Sequence, residues 1–564
     1  MWPCSWIFTS TAVVLGSIEI AHGAVLRGQA LSPAQSGMRR HDVEDALVSE
    51  ILGILSGSMH SVVQDRLRDI LEALEPTYLT LPKNEHGCLD HGTVRYALHR
   101  LFVRRHAMQI KGLEPEGRAW HEMSQQEMLQ DWVPAYVQDL FERRLDSRGL
   151  CLRELAILAS TLEHLIHDDA VMRLQVAYEG HSLPTTGLIS KEAMEMVVET
   201  QMVLFIIGVN ASHVTPEQVK LVYSQIGQAY GSWPRTQAFL REVESDVLQN
   251  ASSQGLSSAA EPGISFDVAL KVVEEAGERY GTWQDGDCKE MKASLISIAD
   301  GNNSGRVLLR DFYANALAGA MHFSERPEYL RELGALDETD PDRPKVIIVN
   351  YINSPTNCVH SSSIYSICCM DECEALLAKV EENVGTPEGE PKLIADAVAD
   401  LSTGTVEAPR TLPPALITRL EEVAERNGGS VPLHGRLFAQ WMHHAFPNEC
   451  PFPHLSGETR PMLSKDWSEV TGHASFKAST QEMESLLEPS ESAEMSQEIE
   501  EGREQCLLPW SEVEELVSPP ALNKRRVLGR YAIGPVMAIL AAVFSTAVTL
   551  RRLIGPLLET HLPK

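Results

Sequence analysis

The sequence lacks the short motifs that mark nucleotide-binding, zinc-protease and serine-hydrolase sites. Neither GxxxxGK(S/T), nor a GxGxxG after a predicted strand, nor HExxH, nor GxSxG occurs in the 564 residues. Basic residues are also scarce, since 48 Lys and Arg stand against 78 Asp and Glu and give a formal net charge of −30. Nucleic-acid binding needs basic faces that neutralise phosphates. These absences argue against a nucleic-acid partner and make an enzyme less favoured than a binding protein.

The two ends of the chain carry membrane-targeting patterns. An apolar run from Trp6 to Ile18 precedes Ala21-His22-Gly23, whose small residues have the spacing that a signal peptidase accepts. Residues 531–550 contain no charge and are long enough to cross a hydrocarbon core of about 30 Å. A cleaved signal peptide places the large N-terminal part in the lumen or outside the cell, whereas the basic residues that flank the span favour the opposite orientation. We give precedence to the signal peptide and expect a single-pass membrane protein with a lumenal or extracellular body.

Apolar residues at three- and four-residue spacing predict a mostly α fold. It consists of helix-loop-helix repeats, a small cysteine-containing α(+β) module and one C-terminal transmembrane helix. Lys345 to Ile352, "KVIIVNYI", is the clearest strand candidate because of its β-branched residues. The predicted segments are a signal peptide (1–23), two helical regions (42–205 and 215–333), a Cys/His-containing module (344–457), an acidic stalk (478–522) and the transmembrane helix (531–550).

A glycine followed by apolar residues recurs where helices are predicted to begin. Gly149 and Gly187 lie 38 residues apart, and Gly263 and Gly305 lie 42 apart. Repeated units of this length are typical of stacked helix-loop-helix elements. We therefore predict that the unit at Gly263 pairs with the unit at Gly305.

The stretch "DGNNSGRVLLRD", residues 300–311, has the pattern of a calcium-binding loop. Oxygen-bearing side chains occupy its first, third, fifth and twelfth positions, and the sixth is Gly305, where the chain must turn with φ > 0. With the amphipathic segments on both sides, it resembles an EF-hand. The ligands that this resemblance implies are Asp300, Asn302, Ser304, Arg306 through its carbonyl, and Asp311.

The resemblance implies weak calcium binding, with magnesium as a competitor. Asp311 stands where the family usually has a bidentate Glu, and only two carboxylates face two nearby arginines. Few charged ligands predict a dissociation constant of about 10⁻⁴ to 10⁻³ M. The alternative is a helix-loop-helix that holds no ion. Asn210, Asn250 and Asn302 also begin N-glycosylation sequons, so we expect a glycoprotein if the region is lumenal.

Ten cysteines occur, and they suggest different roles by position. Three isolated ones are predicted to be buried thiols: Cys88, Cys151 and Cys288. Those clustered in the C-terminal module favour disulfides in an oxidising compartment: Cys358, Cys368, Cys369, Cys373 and Cys450. Nearby histidines leave a zinc or copper site open: His360, His434, His443, His444 and His454. A nucleophilic pair of Cys358 with His434 or His444 is a further alternative.

The sequence thus predicts a membrane-anchored, calcium-binding EF-hand protein that acts as a low-affinity sensor or holds a structural ion, with an unidentified protein partner. Two alternatives remain: an enzyme or redox-metal protein acting through the Cys/His module, and a scaffold with a vestigial EF-hand.

Overall fold

A computed structural model describes residues 61–110, 113, 149–208, 214–253, 263–301, 304–319, 323–360, 365–487 and 510–517. The chain divides into a unit that ends at Glu515 and a short one that begins at Leu516. All the elements named below belong to the first unit.

Helices dominate the described residues, which confirms the prediction of a mostly α fold. In chain order they are α1 (Ser61–Thr80), α2 (His91–His106), α3 (Leu152–Gly180), α4 (Lys191–Ile207), α5 (Pro216–Ala229), α6 (Trp233–Ser253), α7 (Phe266–Ser297), α8 (Leu309–Leu317), α9 (Pro327–Glu332), α10 (Ile348–Ile352), α11 (Glu372–Val384), α12 (Pro391–Ala399), α13 (Pro414–Arg426), α14 (Arg436–Ala445), α15 (Ser464–Thr471) and α16 (Thr480–Ser485). Local signals set several of their ends. At α5, for example, Thr215 and Gln218 form a reciprocal capping box and Pro216 occupies the first turn.

The strands are two or three residues long and pair antiparallel. They are β1 (Met108–Ile110), β2 (Leu188–Ile189), β3 (Ile264–Ser265), β4 (Arg306–Leu308), β5 (Leu336–Asp337), β6 (Lys345–Ile347), β7 (Val359–His360), β8 (Tyr365–Ile367), β9 (Glu388–Gly389) and β10 (Val431–Pro432). β2 pairs with β3 and β9 with β10, while β4-β6-β5 and β1-β8-β7 form three-stranded sheets.

Most of these strands lie in the loop between two helices, so that each pairing joins two helix-loop-helix units side by side. β2 and β3 join the unit α3–α4 to the unit α6–α7, and β4 and β6 join α7–α8 to α9–α10. β9 and β10 join α11–α12 to α13–α14 in the same way. An isolated bridge between Leu89 and Leu150 connects the α1–α2 loop to the start of α3. The Cys/His module therefore has the same paired architecture as the helical regions before it.

The predicted pairing of the Gly263 unit with the Gly305 unit is wrong. β3 pairs with β2 and β4 pairs with β6. The reason is α7, an unbroken helix of 32 residues that links the two loops. At 1.5 Å per residue it is about 48 Å long, so the strands at its two ends cannot meet. The 42-residue spacing between Gly263 and Gly305 therefore arises because one helix, α7, belongs to two successive pairs of units.

The strand predicted over Lys345 to Ile352 is only partly present. β6 ends at Ile347, and the next five residues form α10. Ile348, Tyr351 and Ile352 are buried at helical spacing in the core beside α8. Tertiary packing therefore overrides the strand preference of the β-branched residues.

Three apolar clusters form the core. One unites α1 to α6 with the first half of α7, another surrounds α8 to α10 with Trp467, and the third fills the pair of units α11 to α14. Disulfides join Cys88 to Cys151, Cys288 to Cys369, Cys358 to Cys368 and Cys373 to Cys450. The predicted disulfides of the C-terminal cluster are confirmed. The prediction of buried thiols at Cys88, Cys151 and Cys288 is wrong, because the fold brings each beside a cysteine from a distant segment.

Among the helices of the described ranges, none combines the length and apolar character needed to cross a membrane. The predicted signal peptide (1–23) and transmembrane helix (531–550) lie outside the described residues. Residues 488–509 and 518–522 of the predicted stalk also lie outside them. The beginning of the stalk is described: α16 packs near α8, and Arg326 pairs with Glu482 at 2.8 Å.

Candidate functional site

The predicted metal loop lies between α7 and α8 and contributes β4. Gly305 adopts φ +69°, and a Cβ there would lie 2.3 Å from the carbonyl oxygen of Pro447. A glycine is therefore required for two reasons, the positive φ and the close approach of another backbone segment. The loop conformation expected from the sequence is present at this turn.

The carboxylate of Asp300 already has cationic partners from the paired strand. Lys345 Nζ lies 2.9 Å from Asp300 Oδ2, and Arg343 Nη2 lies 3.6 Å from the same oxygen. Lys345 is brought there by the β4–β6 register, in which it stands opposite Leu308. All three charged side chains are largely buried. An ammonium group is thus paired with the carboxylate that the EF-hand resemblance implies as the first metal ligand.

Arg306 is engaged through both its backbone and its side chain. Its carbonyl accepts hydrogen bonds from the Asp300 amide at 2.8 Å and the Ser304 hydroxyl at 3.2 Å. Its guanidinium pairs with Asp337 at 2.7 Å. Burial by itself favours the neutral acid, but hydrogen bonds from Thr339 and the Arg306 charge hold the pKa of Asp337 below its usual range. The implied carbonyl ligand therefore serves the loop's own hydrogen bonds.

The remaining predicted ligands do not complete an oxygen cage. Asp311 lies in the first turn of α8, half-exposed, with its Oδ1 3.6 Å from Arg310 Nε. Asn302 lies outside the described residues. A calcium ion needs six to eight oxygen ligands, and the arrangement as it stands would first have to release Asp300 from Lys345. Among the described residues of the loop, Asp300 is thus engaged by Lys345, and calcium binding there stays a prediction.

Elsewhere in the described residues, the candidate metal ligands do not converge either. Within the part of the chain that the structure describes, no three His, Cys, Asp or Glu side chains converge as a metal site would require. His443 Nδ1 lies 2.7 Å from the carbonyl of Cys450, and His454 Nε2 lies 2.7 Å from that of Gly334. His434 lies 3.2 Å from the hydroxyls of both Tyr96 and Thr80. These histidines serve separate hydrogen bonds.

The proposed nucleophile is also engaged. Cys358 forms a disulfide with Cys368, so its sulfur is not the thiolate that nucleophilic catalysis requires. Burial first, and then the charge of Arg100, lowers the pKa of His434 to about 3 and keeps its imidazole neutral. The Cys358–His434 and Cys358–His444 hypotheses are therefore wrong for the disulfide-bonded protein.

A buried charge network that sequence reasoning missed surrounds Arg100 of α2. Its guanidinium pairs with Glu381, and its Nε lies 2.6 Å from Glu374 Oε2, both on α11. Thr80 of α1 donates a hydrogen bond to Glu381 at 3.2 Å, and His434 lies 3.3 Å from the same carboxylate. The network joins α1 and α2 to α11 and to His434, which lies just before α14. The partners are nearly three hundred residues apart in the sequence, and no local pattern connects them.

A cleft of about 270 Å³ opens among α1, α2, α3, α4 and α7. Aromatic side chains such as Phe102, Phe205 and Tyr280 form part of its wall. Its ionisable groups include Arg66 and Glu163, which pair at 2.7 Å, and His167, which lies 2.8 Å from Glu274. The cleft is amphipathic, and these groups have partners within the protein.

Comparison with known proteins identifies no relative. No family model, no curated protein and no solved structure matches this chain.

Proposed function

We propose that the protein is a disulfide-stabilised binding scaffold, built from paired helix-loop-helix units whose loop 300–311 is held by an internal ion pair. The observation that carries this proposal is the 2.9 Å contact between Lys345 Nζ and Asp300 Oδ2. Lys345 neutralises the carboxylate with which the EF-hand resemblance would begin a calcium site. The loop joins two units without needing an ion to hold them together.

The cysteines support a scaffold over an enzyme. All eight described cysteines are paired, which leaves these sulfurs without the free thiolate that redox or metal chemistry needs. Disulfides persist in oxidising compartments. They favour a lumenal or extracellular body that residues 531–550 anchor to the membrane.

Calcium binding by the EF-hand-like loop is the second candidate, and the conformation of the loop favours it. Gly305 has the positive φ that the sixth position of such a loop requires, and the loop pairs through a short strand with a neighbouring unit. Calcium would then have to displace Lys345 from Asp300. That competition predicts binding even weaker than about 10⁻³ M.

Calorimetric titration of calcium into the whole protein separates the two candidates. A scaffold with an internal cation should give no binding heat at millimolar calcium, and Asp300→Ala should behave identically. Replacing Lys345 with Met should uncover the carboxylate and allow weak calcium binding. Lys392→Met, which removes an exposed lysine paired with Asp396 on α12, controls for the change in net charge. One-site binding in the parent that Asp300→Ala abolishes would instead establish the calcium candidate.

A further inference from the structure

Residues 510–515, "WSEVEE", lie on the unit formed by α13 and α14. Residues 488–509, which precede them, are outside the described residues. We call residues 510–515 the strap. The strap contacts α13, the beginning of α14 and the turn at Ser456. The apolar core of this pair consists of residues between Leu376 and Cys450, with Trp510 only at its edge. The strap is therefore an addition to a module whose core is built from other residues.

Two arginines of α13 contact the carboxylate of Glu512 in the strap. Arg426 forms an ion pair with Glu512 and also donates a hydrogen bond to the Glu512 carbonyl at 3.2 Å. Arg419 Nη1 lies 3.9 Å from the Glu512 carboxylate. Glu512 itself remains half-exposed. Arg419 also pairs with Glu422 of its own helix at 2.7 Å, so the complementarity to the acidic strap rests mainly on Arg426.

The N-terminal end of α14 provides a second set of contacts. The amide of Leu437, in the first turn, donates to Glu514 Oε1 at 3.1 Å, and the amide of Arg436 donates to the Glu515 carbonyl at 2.9 Å. Ser456 donates to the Glu515 carboxylate from its amide and its hydroxyl, each at 3.1 Å. Carboxylates are stabilised at a helix N-terminus by its free amides and its dipole. The strap thus supplies the cap of α14 from a distant part of the sequence.

Arg436 adds a buried cation to this surface. Its side chain is more than nine-tenths buried, and its Nη2 has no hydrogen-bond partner. Its Nε donates to the Val513 carbonyl of the strap at 3.0 Å, and its Nη1 donates to Pro453 and Gln440. Burial lowers the pKa of Arg436, and the nearby Glu515 and Glu514 oppose this shift. A buried cation at this position is costly without the strap's carboxylates.

An aromatic anchor completes the surface. The Trp510 ring stacks at 6.1 Å from the His444 ring, and the Arg419 guanidinium lies over it at 5.3 Å. Aromatic anchors beside arginines are typical of recognition surfaces. By contrast, Val513 is 50% exposed. The recognition elements are therefore one tryptophan and the glutamates that follow it.

We propose that the α13–α14 surface is a recognition site for an acidic peptide that carries an aromatic residue ahead of its glutamates. The chain fills this site with its own strap, and a partner protein with such a segment binds by displacing it. A tethered segment acts at an effective concentration of roughly millimolar, so the strap excludes weak competitors and admits strong ones. The inference goes beyond the proposed scaffold role and does not depend on whether loop 300–311 holds an ion.

The test measures fluorescence anisotropy of a labelled peptide, "LLPWSEVEELV", with the detergent-solubilised full chain. A strap variant, Trp510→Ala with Glu512→Gln and Glu514→Gln, should bind the peptide at least about tenfold more tightly than the intact chain does. Adding Arg426→Glu to the strap variant should reverse this gain. Adding Arg331→Glu, which removes an exposed arginine of α9 paired with Glu338, should leave the gain unchanged.

Three results would overturn the proposal: equal peptide binding by the intact and strap-variant chains, no binding by either, or insensitivity to Arg426→Glu. Dimers of the intact chain that the peptide dissociates would overturn the arrangement within one chain, because they would assign the site to the strap of a second copy. Far-ultraviolet circular dichroism and thermal unfolding of each variant show that the chain has kept its fold.

Discussion

At the scale of single residues, the buried network around Arg100 places charges where water cannot solvate them. The Arg100 side chain is 3% exposed and that of Glu381 is fully buried. Burial alone would favour the neutral acid, but the Arg100 charge and its hydrogen bonds outweigh it and lower the pKa of Glu381. Each charge is therefore tolerated because the other is present, and removing one leaves its partner unpaired in the interior.

We expect Glu381→Gln to reduce the free energy of unfolding by about 3 kcal/mol, since it leaves Arg100 with only Glu374. Because the lowered pKa of Glu381 stabilises the folded state above the ordinary carboxyl pKa of about 4.3, the parent should lose this contribution as the pH falls through the folded pKa. The variant should lack that acid-dependent loss. Urea unfolding between pH 7 and pH 3 measures both effects.

Glu382→Gln is the matched control, because Glu382 is exposed on the next position of the same helix. An equal loss of stability in both variants would show that the Arg100–Glu381 pair has no special role in joining the first and last helical pairs.

At the scale of elements, the long helices α3 and α7 organise the molecule because each belongs to two successive pairs. α7 leaves the β3 loop and enters the β4 loop. Midway along it, Gly281 meets the end of α2, and a Cβ there would lie 2.2 Å from the His106 carbonyl oxygen. The absent side chain allows α7 to pack closely on the first pair.

This contact reverses the usual effect of replacing a helical glycine. Gly281→Ala should lower the free energy of unfolding by about 1 to 3 kcal/mol, because the methyl group would collide with backbone. Gly286→Ala, five residues along the same helix with no atom within 4 Å of the new methyl, should raise it by about 0.5 to 1 kcal/mol. Thermal unfolding of the two variants tests the packing, and stabilisation by both would refute it.

Elements and their partners differ in how far the sequence predicts them. The 3.6-residue periodicity predicts the helices, and the glycine before each apolar run marks several loops, because these are local properties. Which loops pair is decided by the continuity of α7, which no loop motif reveals. Likewise, Asp300 and Gly305 are visible as a loop pattern, whereas the Lys345 that neutralises Asp300 comes from a strand whose register depends on the whole pair.

At the scale of the whole molecule, cross-links and strands connect pairs that are distant in the sequence. Cys288 of α7 is joined to Cys369 just before α11, and Cys373 of α11 to Cys450 after α14. β1, which follows α2, pairs with β8, which lies just before Cys369. Such cross-links stabilise a protein chiefly by restricting its unfolded chain. They support the proposal of a lumenal or extracellular body, in which the predicted sequons would be modified.

The glycosylation state of Asn250 tests that location. Asn250 begins the sequon Asn250-Ala251-Ser252 and lies exposed near the end of α6. A lumenal body should carry a glycan there. Glycosidase treatment of the protein expressed in secretory cells should therefore lower its mass, and Asn250→Gln should reduce that loss by the mass of one glycan. Asn383→Gln, an exposed asparagine outside any sequon, should leave the shift unchanged. An unmodified Asn250 would instead favour the orientation indicated by the basic residues around 531–550, with the body in the cytosol.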